Sequence, residues 1–311
     1  MIIHPFDAAL QNRGFHIIAH PQSNYNRTQF SIAATLNLEY LQGVSPYSRS
    51  KYYRQAMQSI EQAVVTRVFM HCGYRMYNLS IFNWGRYPAL LKENFLTLTE
   101  NQVLLYNTLP ERYSHDVQWH LSFIDKYLPG WRTNMASYQK QEEEKNTKLK
   151  NYNNTVIDSL LKIPALDTAG PKFLYAHLYL PHIPLSYDSN GKPVQAISGS
   201  NTSGTSKTAV LSYLKYTNKV ILRIVDSILQ HARRPPLIIV QSDHGFRDLP
   251  KDIAPGERYF DNYSAFYFPD KNYNALTDSF TNINTFAVVF NNYFKTSIPM
   301  QKDSSVSLPF P

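Results

Sequence analysis

The sequence predicts an α/β fold with a mostly parallel central sheet and helices on both faces. Two observations indicate this class. The clearest helical pattern, an apolar stripe stepping by three and four residues from Val210 to Ile228, leads into the β-branched run 237–240. A second apolar run, 173–180, is closed by Pro181. Continuous apolar strands fed by amphipathic helices are typical of parallel sheets that are buried on both faces.

The remaining elements follow from local patterns along the chain. We predict a short helix from Phe6 to Asn12 ending at Gly14, a strand over 15–19, a helical stretch within 23–41, a helix over 51–70 ending at Gly73, an extended segment over 74–82, a polar helix from about 136, and a loop over 186–206. The aromatic-rich stretch 86–135 gives no clear pattern. No internal repeat or second-domain boundary is visible, so residues 1–311 are predicted to form a single domain.

Composition limits the classes of function. The hydrophobic fraction of 43% is sufficient for a sizeable core, and wide disorder is not expected. The chain has 31 Lys and Arg against 23 Asp and Glu, a net charge of +8. This charge fits either an ordinary basic protein or one that attracts anionic partners. The basic residues are scattered and no nucleic-acid motif is present, so no nucleic-acid partner is predicted.

The single cysteine and the hydropathy pattern exclude further possibilities. Cys72 is the only cysteine, which rules out an intrachain disulfide and a cysteine-based zinc site. It lies in the sequence HCGY and is best interpreted as a packed apolar residue. No stretch approaches the roughly 18 apolar residues of a membrane span. The N-terminus lacks a signal-peptide pattern, and the chain as given is expected to be soluble.

The first candidate site motif follows the run 237–240. Asp243 and His244 come directly after this strand, and Gly245 permits a sharp turn. Side chains at the carboxyl end of such a strand point into a crevice at the sheet edge. Carboxylate and imidazole groups are good ligands for zinc or manganese. The motif is equally compatible with a simple turn at the end of a strand, but its position favours a metal site.

The second candidate motif follows the apolar run 173–180. His177 lies inside this run, which favours a histidine packed in the core. His182 follows the end of the strand and is flanked by Pro181 and Pro184, which restrict the backbone. A rigid loop that holds one imidazole at the sheet edge suits contact with a phosphoryl or sulfuryl oxygen. We therefore interpret His182 as functional and leave His177 open.

The third candidate is Thr28, which precedes an apolar helical stretch. Its spacing alone favours a helix N-cap. A hydroxyl at the start of a helix is also a suitable nucleophile, because backbone N–H groups there bind anions and a nearby divalent cation would lower the pKa of the hydroxyl.

Three motifs occur in an order that resembles a known family: SNYNRTQFSIAATLNLEYL, then HLYLPHIPLSYDSNGKP, then a long helix leading into LIIVQSDHG. The order resembles the sulfatase-like branch of the alkaline-phosphatase superfamily. It looks closest to bacterial membrane-anchored sulfatase-like proteins, relatives of lipoteichoic acid synthase and the phosphoethanolamine transferases. The similarity extends over nearly the whole chain, including the ending TNINTFAVVFNNYF. Since Cys72 is not in a C-x-P-x-R setting, the subclass with a modified cysteine nucleophile is excluded.

The resemblance implies a metal-dependent hydrolase or transferase that acts on sulfate or phosphate esters. Thr28 would be the nucleophile, Asp243 and His244 would bind a divalent metal (zinc, manganese, magnesium or calcium), and His182 would contact the substrate or protonate the leaving group. His177 matches a substrate-binding histidine less securely. The implied partners are a sulfated or phosphorylated small molecule, a glycan or a lipid headgroup.

The sequence departs from the family pattern at its start. Relatives begin the domain with a buried strand that ends in an acidic metal ligand, whereas here Asp7 falls on the first predicted helix. We therefore expect the fold to lack its first strand and an upstream membrane anchor, and we expect the complete protein to act at the extracytoplasmic face of the bacterial cell membrane. The alternative function is a catalytically inactive relative that binds anionic glycans or lipid headgroups.

Overall fold

The computed structural model describes residues 5–43, 49–91, 133–197, 207–246 and 258–308. Helices and short strands alternate through these ranges, as expected of an α/β protein. The helices are α1 (Pro5–Asn12), α2 (Thr28–Asn37), α3 (Arg49–Glu61), α4 (Val64–His71), α5 (Thr133–Lys162), α6 (Lys207–His231) and α7 (Thr285–Tyr293). The strands are β1 (His16–Ile17), β2 (Arg75–Leu79), β3 (Lys172–Ala176), β4 (Leu185–Tyr187), β5 (Pro193–Ile197), β6 (Ile238–Gln241) and β7 (Ser264–Tyr267).

The strands form three small sheets instead of the one large, mostly parallel sheet that we predicted. One sheet has the order β1-β7-β6 with both pairs antiparallel, and β4 pairs with β5 antiparallel. Among the strands in the described ranges, only β2 and β3 pair in parallel. Within the described ranges, β3 pairs only with β2 and β6 only with β7, so no strand joins the two sheets into one. The absence of a first strand stays a prediction.

The sheets that contain β3 and β6 share the same two layers of helices. Phe173 and Ile239, one from each strand, pack on the cluster built around α2 and α7. On the other side, Val220 of α6 belongs to a cluster with Leu79 of β2, while Val225 of α6 packs with Ile238 of β6. Because side chains alternate between the two faces of a strand, this arrangement gives a three-layer architecture with helices on both sides.

Several predicted elements are confirmed, and others are corrected. The first helix ends as expected, with Gly14 at a positive φ of 86°. The predicted helix over 51–70 is two helices, α3 and α4. The side chain of Asn37 explains the break, because its amide accepts a hydrogen bond from the Val64 N–H (3.1 Å) and donates one to the Ser59 carbonyl (3.1 Å). A side chain from α2 thus supports the start of α4.

One further segment differs from the prediction, and another is left without a test. The segment 186–206, predicted as a loop, contains most of the β4–β5 hairpin, which contacts α6. Most of the uninterpreted stretch 86–135 lies outside the described residues. Among the helices that the structure describes, none is both long and apolar enough to cross a membrane.

Candidate active site

The turn after β6 carries the first two site residues. The strand ends at Gln241, and Asp243 and His244 follow within the turn. Gly245 is required there, since a Cβ at this position would lie 2.0 Å from the Arg258 carbonyl oxygen and 2.7 Å from that of Asp261. The Gly245 N–H also donates to the Tyr259 carbonyl at 2.8 Å. The turn is therefore packed tightly against the segment that follows it.

Thr28 is the first residue of α2 and faces this turn. Its Oγ1 lies 3.2 Å from His244 Nε2, and its hydroxyl donates a hydrogen bond to the Asp243 carboxylate. The N-cap position belongs to Arg27, which makes no side-chain capping bond, so Thr28 does not act as the N-cap. The structure thus brings Thr28 to Asp243 and His244, which follow it by more than 200 residues in the sequence.

Asp243 is ionised in this environment. Burial opposes ionisation, but the attraction of His244 and His177 and the hydrogen bond from Thr28 outweigh it and lower the pKa of the carboxyl to about 2. His244 Nε2 lies 3.6 Å from Asp243 Oδ2, and its Nδ1 lies 2.7 Å from the Gly245 carbonyl oxygen. In the tautomer that donates from Nδ1 to this carbonyl, Nε2 directs its lone pair toward Thr28 and Asp243.

Side chains from several elements hold the turn in place. The Ser31 hydroxyl on α2, which is fully buried, lies 2.6 Å from the Asp243 carbonyl oxygen and 2.9 Å from Asn24 Oδ1. On the opposite side, the Ser242 hydroxyl donates to Asn262 Oδ1, and Asn282 Nδ2 donates to the Ser242 carbonyl at 2.8 Å. These bonds fix the backbone of the turn relative to the start of α2.

The two predicted histidines lie on the other side of the site. β3 ends at Ala176, so His177 follows the strand instead of lying inside it, and its N–H donates to the Leu79 carbonyl at 3.1 Å. Burial lowers the pKa of His177, helped by His244 and His182 and opposed by Asp243. His182 is exposed, and its Nδ1 lies 2.5 Å from the Ile183 carbonyl oxygen. The charges of Asp243 and His244 thus both act on the pKa of His177, whereas His182 lies at the surface.

One family of known proteins matches most of the chain. The profile of the family described as Sulfatase matches residues 9–292, which include every site residue above. The chain belongs to the sulfatase family. At the family level this indicates a hydrolase-like enzyme for sulfate or phosphate esters. No curated protein and no solved structure matches the chain.

Sulfatases generally use a divalent metal, and the residues of the Asp243 turn are the candidates to hold one. Ligand atoms around a tetrahedral ion at about 2.0–2.2 Å lie roughly 3.3–3.6 Å from one another. The separations of 3.2 Å between Thr28 Oγ1 and His244 Nε2, and of 3.6 Å between His244 Nε2 and Asp243 Oδ2, are close to this range. Across the described ranges, no group of three or more His, Cys, Asp or Glu could hold an ion. The candidate donors for an ion are therefore the Asp243 carboxylate, His244 Nε2 and the Thr28 hydroxyl.

Sequence reasoning missed the tyrosines that lie beside the candidate site. Tyr175 and Tyr179 flank His177 at alternate positions, and the charge of Asp243 adds to the effect of burial in raising the pKa of each hydroxyl. The Tyr179 hydroxyl is buried and has no hydrogen-bond partner in the described part of the chain. The alternation Tyr-x-His-x-Tyr was the available signal, because residues two apart on an extended segment share one face.

Helix α5 holds the segment 177–182 of the candidate site through hydrogen bonds to its main chain. The Tyr152 hydroxyl donates to the His177 carbonyl at 2.6 Å. The side chain of Asn153 accepts from the Tyr179 N–H at 2.9 Å and donates to its carbonyl at 3.4 Å. The polar helix predicted from about 136 therefore presents two buried polar residues to the site, which the sequence did not reveal.

Arg258 and Tyr263 lie on the segment that follows the Asp243 turn, and each has a partner of its own. Arg258 forms an exposed ion pair with Asp261 at 3.0 Å. The Tyr263 hydroxyl donates to Asp7 on α1 at 3.0 Å, and burial together with the Asp7 charge raises its pKa. The Asp7 carboxylate therefore contacts Tyr263 and is not one of the residues grouped at the Asp243 turn.

Proposed function

We propose that this protein is a divalent-metal-dependent hydrolase or transferase that acts on sulfate or phosphate esters through the Thr28 hydroxyl. The observation that carries the proposal is the contact between Thr28 and the Asp243–His244 turn, with Oγ1 3.2 Å from His244 Nε2. An ionised carboxylate, an imidazole nitrogen and a hydroxyl at these separations suit one cation and one nucleophile.

In the proposed reaction, Thr28 Oγ1 forms a bond to phosphorus or sulfur while the bond to the leaving oxygen breaks on the opposite side. A divalent ion bound by Asp243 and His244 would lower the pKa of the hydroxyl and offset charge on the non-bridging oxygens. The Thr28 proton leaves along its hydrogen bond to Asp243 and passes to water. His182, exposed beside the site, gives a proton to the leaving oxygen.

A second displacement then restores the enzyme. Water or an acceptor alcohol forms the new bond to phosphorus or sulfur, the bond to Thr28 Oγ1 breaks, and this oxygen regains a proton. The proposed substrates are sulfated or phosphorylated small molecules, glycans or lipid headgroups, and the net charge of +8 favours the approach of such anions. We further propose that the complete protein acts at the extracytoplasmic face of the bacterial membrane, as the resemblance implies.

The proposal is tested with p-nitrophenyl sulfate and p-nitrophenyl phosphate. The protein is first treated with a chelator and then assayed with zinc, manganese, magnesium or calcium added singly. We expect one or more ions to support turnover. Mass spectrometry of the quenched reaction should find one phosphoryl or sulfuryl group on the peptide that contains Thr28. Thr28→Ala should abolish both signals, whereas Thr28→Ser, which keeps a hydroxyl, should retain part of them.

Wild-type turnover by Thr28→Ala would end the nucleophile assignment. The alternative function, a catalytically inactive relative that binds anionic glycans or lipid headgroups, predicts a different pattern. It predicts no turnover with any ion, together with binding of sulfated glycans or anionic lipid vesicles that Asp243→Ala leaves unchanged.

A further inference from the structure

The segment 298–308, which we call the C-terminal strap, runs past α7 and reaches the loop before α2. Three asparagine side chains hold it, each by the same pair of hydrogen bonds. In every pair the amide Nδ2 donates to a main-chain carbonyl of the strap and the amide Oδ1 accepts the N–H of the same residue. The pairs are Asn291 with Ile298 (2.9 and 2.8 Å), Asn284 with Gln301 (2.9 and 2.8 Å), and Asn26 with Leu308 (2.9 and 2.9 Å).

The last of these pairs lies close to the proposed nucleophile. Asn26 is fully buried and precedes Thr28 by two residues. The strap makes two more bonds to the same loop: the Val306 N–H donates to the Asn24 carbonyl at 2.9 Å, and the Ser305 hydroxyl donates to the Ser23 carbonyl at 2.8 Å. The strap thus bonds to three of the five residues that precede Thr28.

This loop depends on partners from outside it. Residues 23–27 belong to no helix or strand, so most of their buried polar groups need partners from elsewhere. The Arg27 carbonyl accepts from the Ser31 N–H of α2, and Tyr25 forms an isolated parallel bridge with Val306 of the strap. The side chain of Asn24 contacts the Ser31 hydroxyl, which in turn contacts the Asp243 carbonyl. A shift of the loop would therefore move both Thr28 and the carboxylate turn that it faces.

We propose that the C-terminal strap is a positioning element that fixes the Thr28 hydroxyl against Asp243 and His244. The strap lies beyond residues 9–292, which the sulfatase profile matches, so it is a feature of this chain outside the family match. The proposal rests on the proposed function for its kinetic consequence. The restraint of residues 23–31 by the strap does not depend on catalysis and can be measured without it.

The test compares two asparagine pairs that have the same chemistry but lie at different distances from the site. Asn26→Ala removes the pair beside Thr28, and Asn291→Ala removes the pair at the far end of the strap. We expect Asn26→Ala to lower kcat roughly tenfold to a hundredfold, because small misplacements of a reacting group cost about that much. KM should stay unchanged, and amides of residues 23–31 should exchange hydrogen faster. Asn291→Ala should lower Tm but leave kcat and exchange at 23–31 unchanged.

Ser305→Ala provides a milder variant should Asn26→Ala fail to fold. It removes the hydroxyl's bond to the Ser23 carbonyl and its longer contact with Gln22 Oε1 (3.4 Å), and it keeps the Asn26 pair. It should accelerate exchange at 23–31 and reduce kcat by a smaller factor. Equal losses of kcat in Asn26→Ala and Asn291→Ala, in proportion to their losses of stability, would overturn the proposal. If the wild-type protein shows no turnover, the proposed function fails and hydrogen exchange alone decides. Faster exchange at 23–31 in Asn26→Ala only would support the strap, and unchanged exchange would refute it.

Discussion

Two sides of the candidate site are built differently. One side, which carries the proposed nucleophile and which we call the nucleophile side, consists of Thr28, Asp243 and His244. Its side chains are mostly buried, with His244 only 8% exposed. Hydrogen bonds from α2, from the loop before it and from the segment around Asn262 hold this side. The histidine side, the segment 177–182, is held by its main chain through α5, and His182 is exposed.

The difference corresponds to two tasks. Groups that share a metal ion and a nucleophile must keep fixed separations of a few ångströms, and buried polar networks supply such rigidity. A group that contacts a substrate must be reachable from solvent and must also be held in position. A fixed backbone with an accessible side chain meets both requirements. The nucleophile side therefore should not tolerate changes in charge, whereas the histidine side should tolerate them with a loss of substrate turnover only.

The largest expected effect comes from the charge of Asp243. Asp243→Asn keeps the shape of the side chain but removes the carboxylate charge. We expect turnover of the p-nitrophenyl esters to fall by about a thousandfold or more, because the electrostatic stabilisation supplied by the bound ion is lost. Metal content measured by plasma mass spectrometry should fall in parallel.

Asp261→Asn is the matched control, since this carboxylate lies on the neighbouring segment and pairs at the surface with Arg258. It should keep both turnover and metal content. Normal metal content and activity in Asp243→Asn would show that the nucleophile side is not a metal site.

A smaller effect is expected on the histidine side. His182→Gln should lower kcat/KM roughly a hundredfold, the lower range for a general acid. Tm and metal content should not change, because His182 is exposed and the backbone of its loop is held elsewhere. His231→Gln, at the exposed C-terminal end of α6, serves as the control. A large loss of metal or of Tm in His182→Gln would contradict the division between the two sides.

The fold was predictable where a pattern is local. The stripe of α6 and the run that forms β6 were both found because their periodicity depends on the residues themselves. The pairing of the strands was not predictable, since β6 hydrogen-bonds to β7 antiparallel through contacts that no local pattern encodes. The split of the helix over 51–70 also depends on a distant side chain, Asn37.

The site was predictable for a different reason. The order of three motifs, together with the rule that the chemistry of α/β sheets lies at strand ends, predicts that Thr28, Asp243 and His244 lie close together. The exact roles of these residues stay predictions. The tyrosines beside His177 and the asparagine pairs of the strap were missed. An apolar aromatic strand suggests a core, and an asparagine near a turn suggests only the turn.

The smallest expected effect, which concerns stability more than chemistry, is at Gly245 on the nucleophile side. An added Cβ would overlap the Arg258 carbonyl oxygen at 2.0 Å, and relief requires the backbone to move, because a carbonyl cannot rotate away like a flexible side chain. We expect Gly245→Ala to lower the free energy of unfolding by about 1–3 kcal/mol, as measured by urea denaturation.

Gly170→Ala is a suitable comparison, because its Cβ would meet only the Gly73 carbonyl oxygen at 3.1 Å. The two variants add the same methyl group, so any excess loss in Gly245→Ala reports the close packing of the turn that carries Asp243. A Gly245→Ala protein as stable as Gly170→Ala would mean that this turn yields readily. The contrast with the histidine side would then lie in solvent exposure alone, since rigidity would no longer distinguish the two.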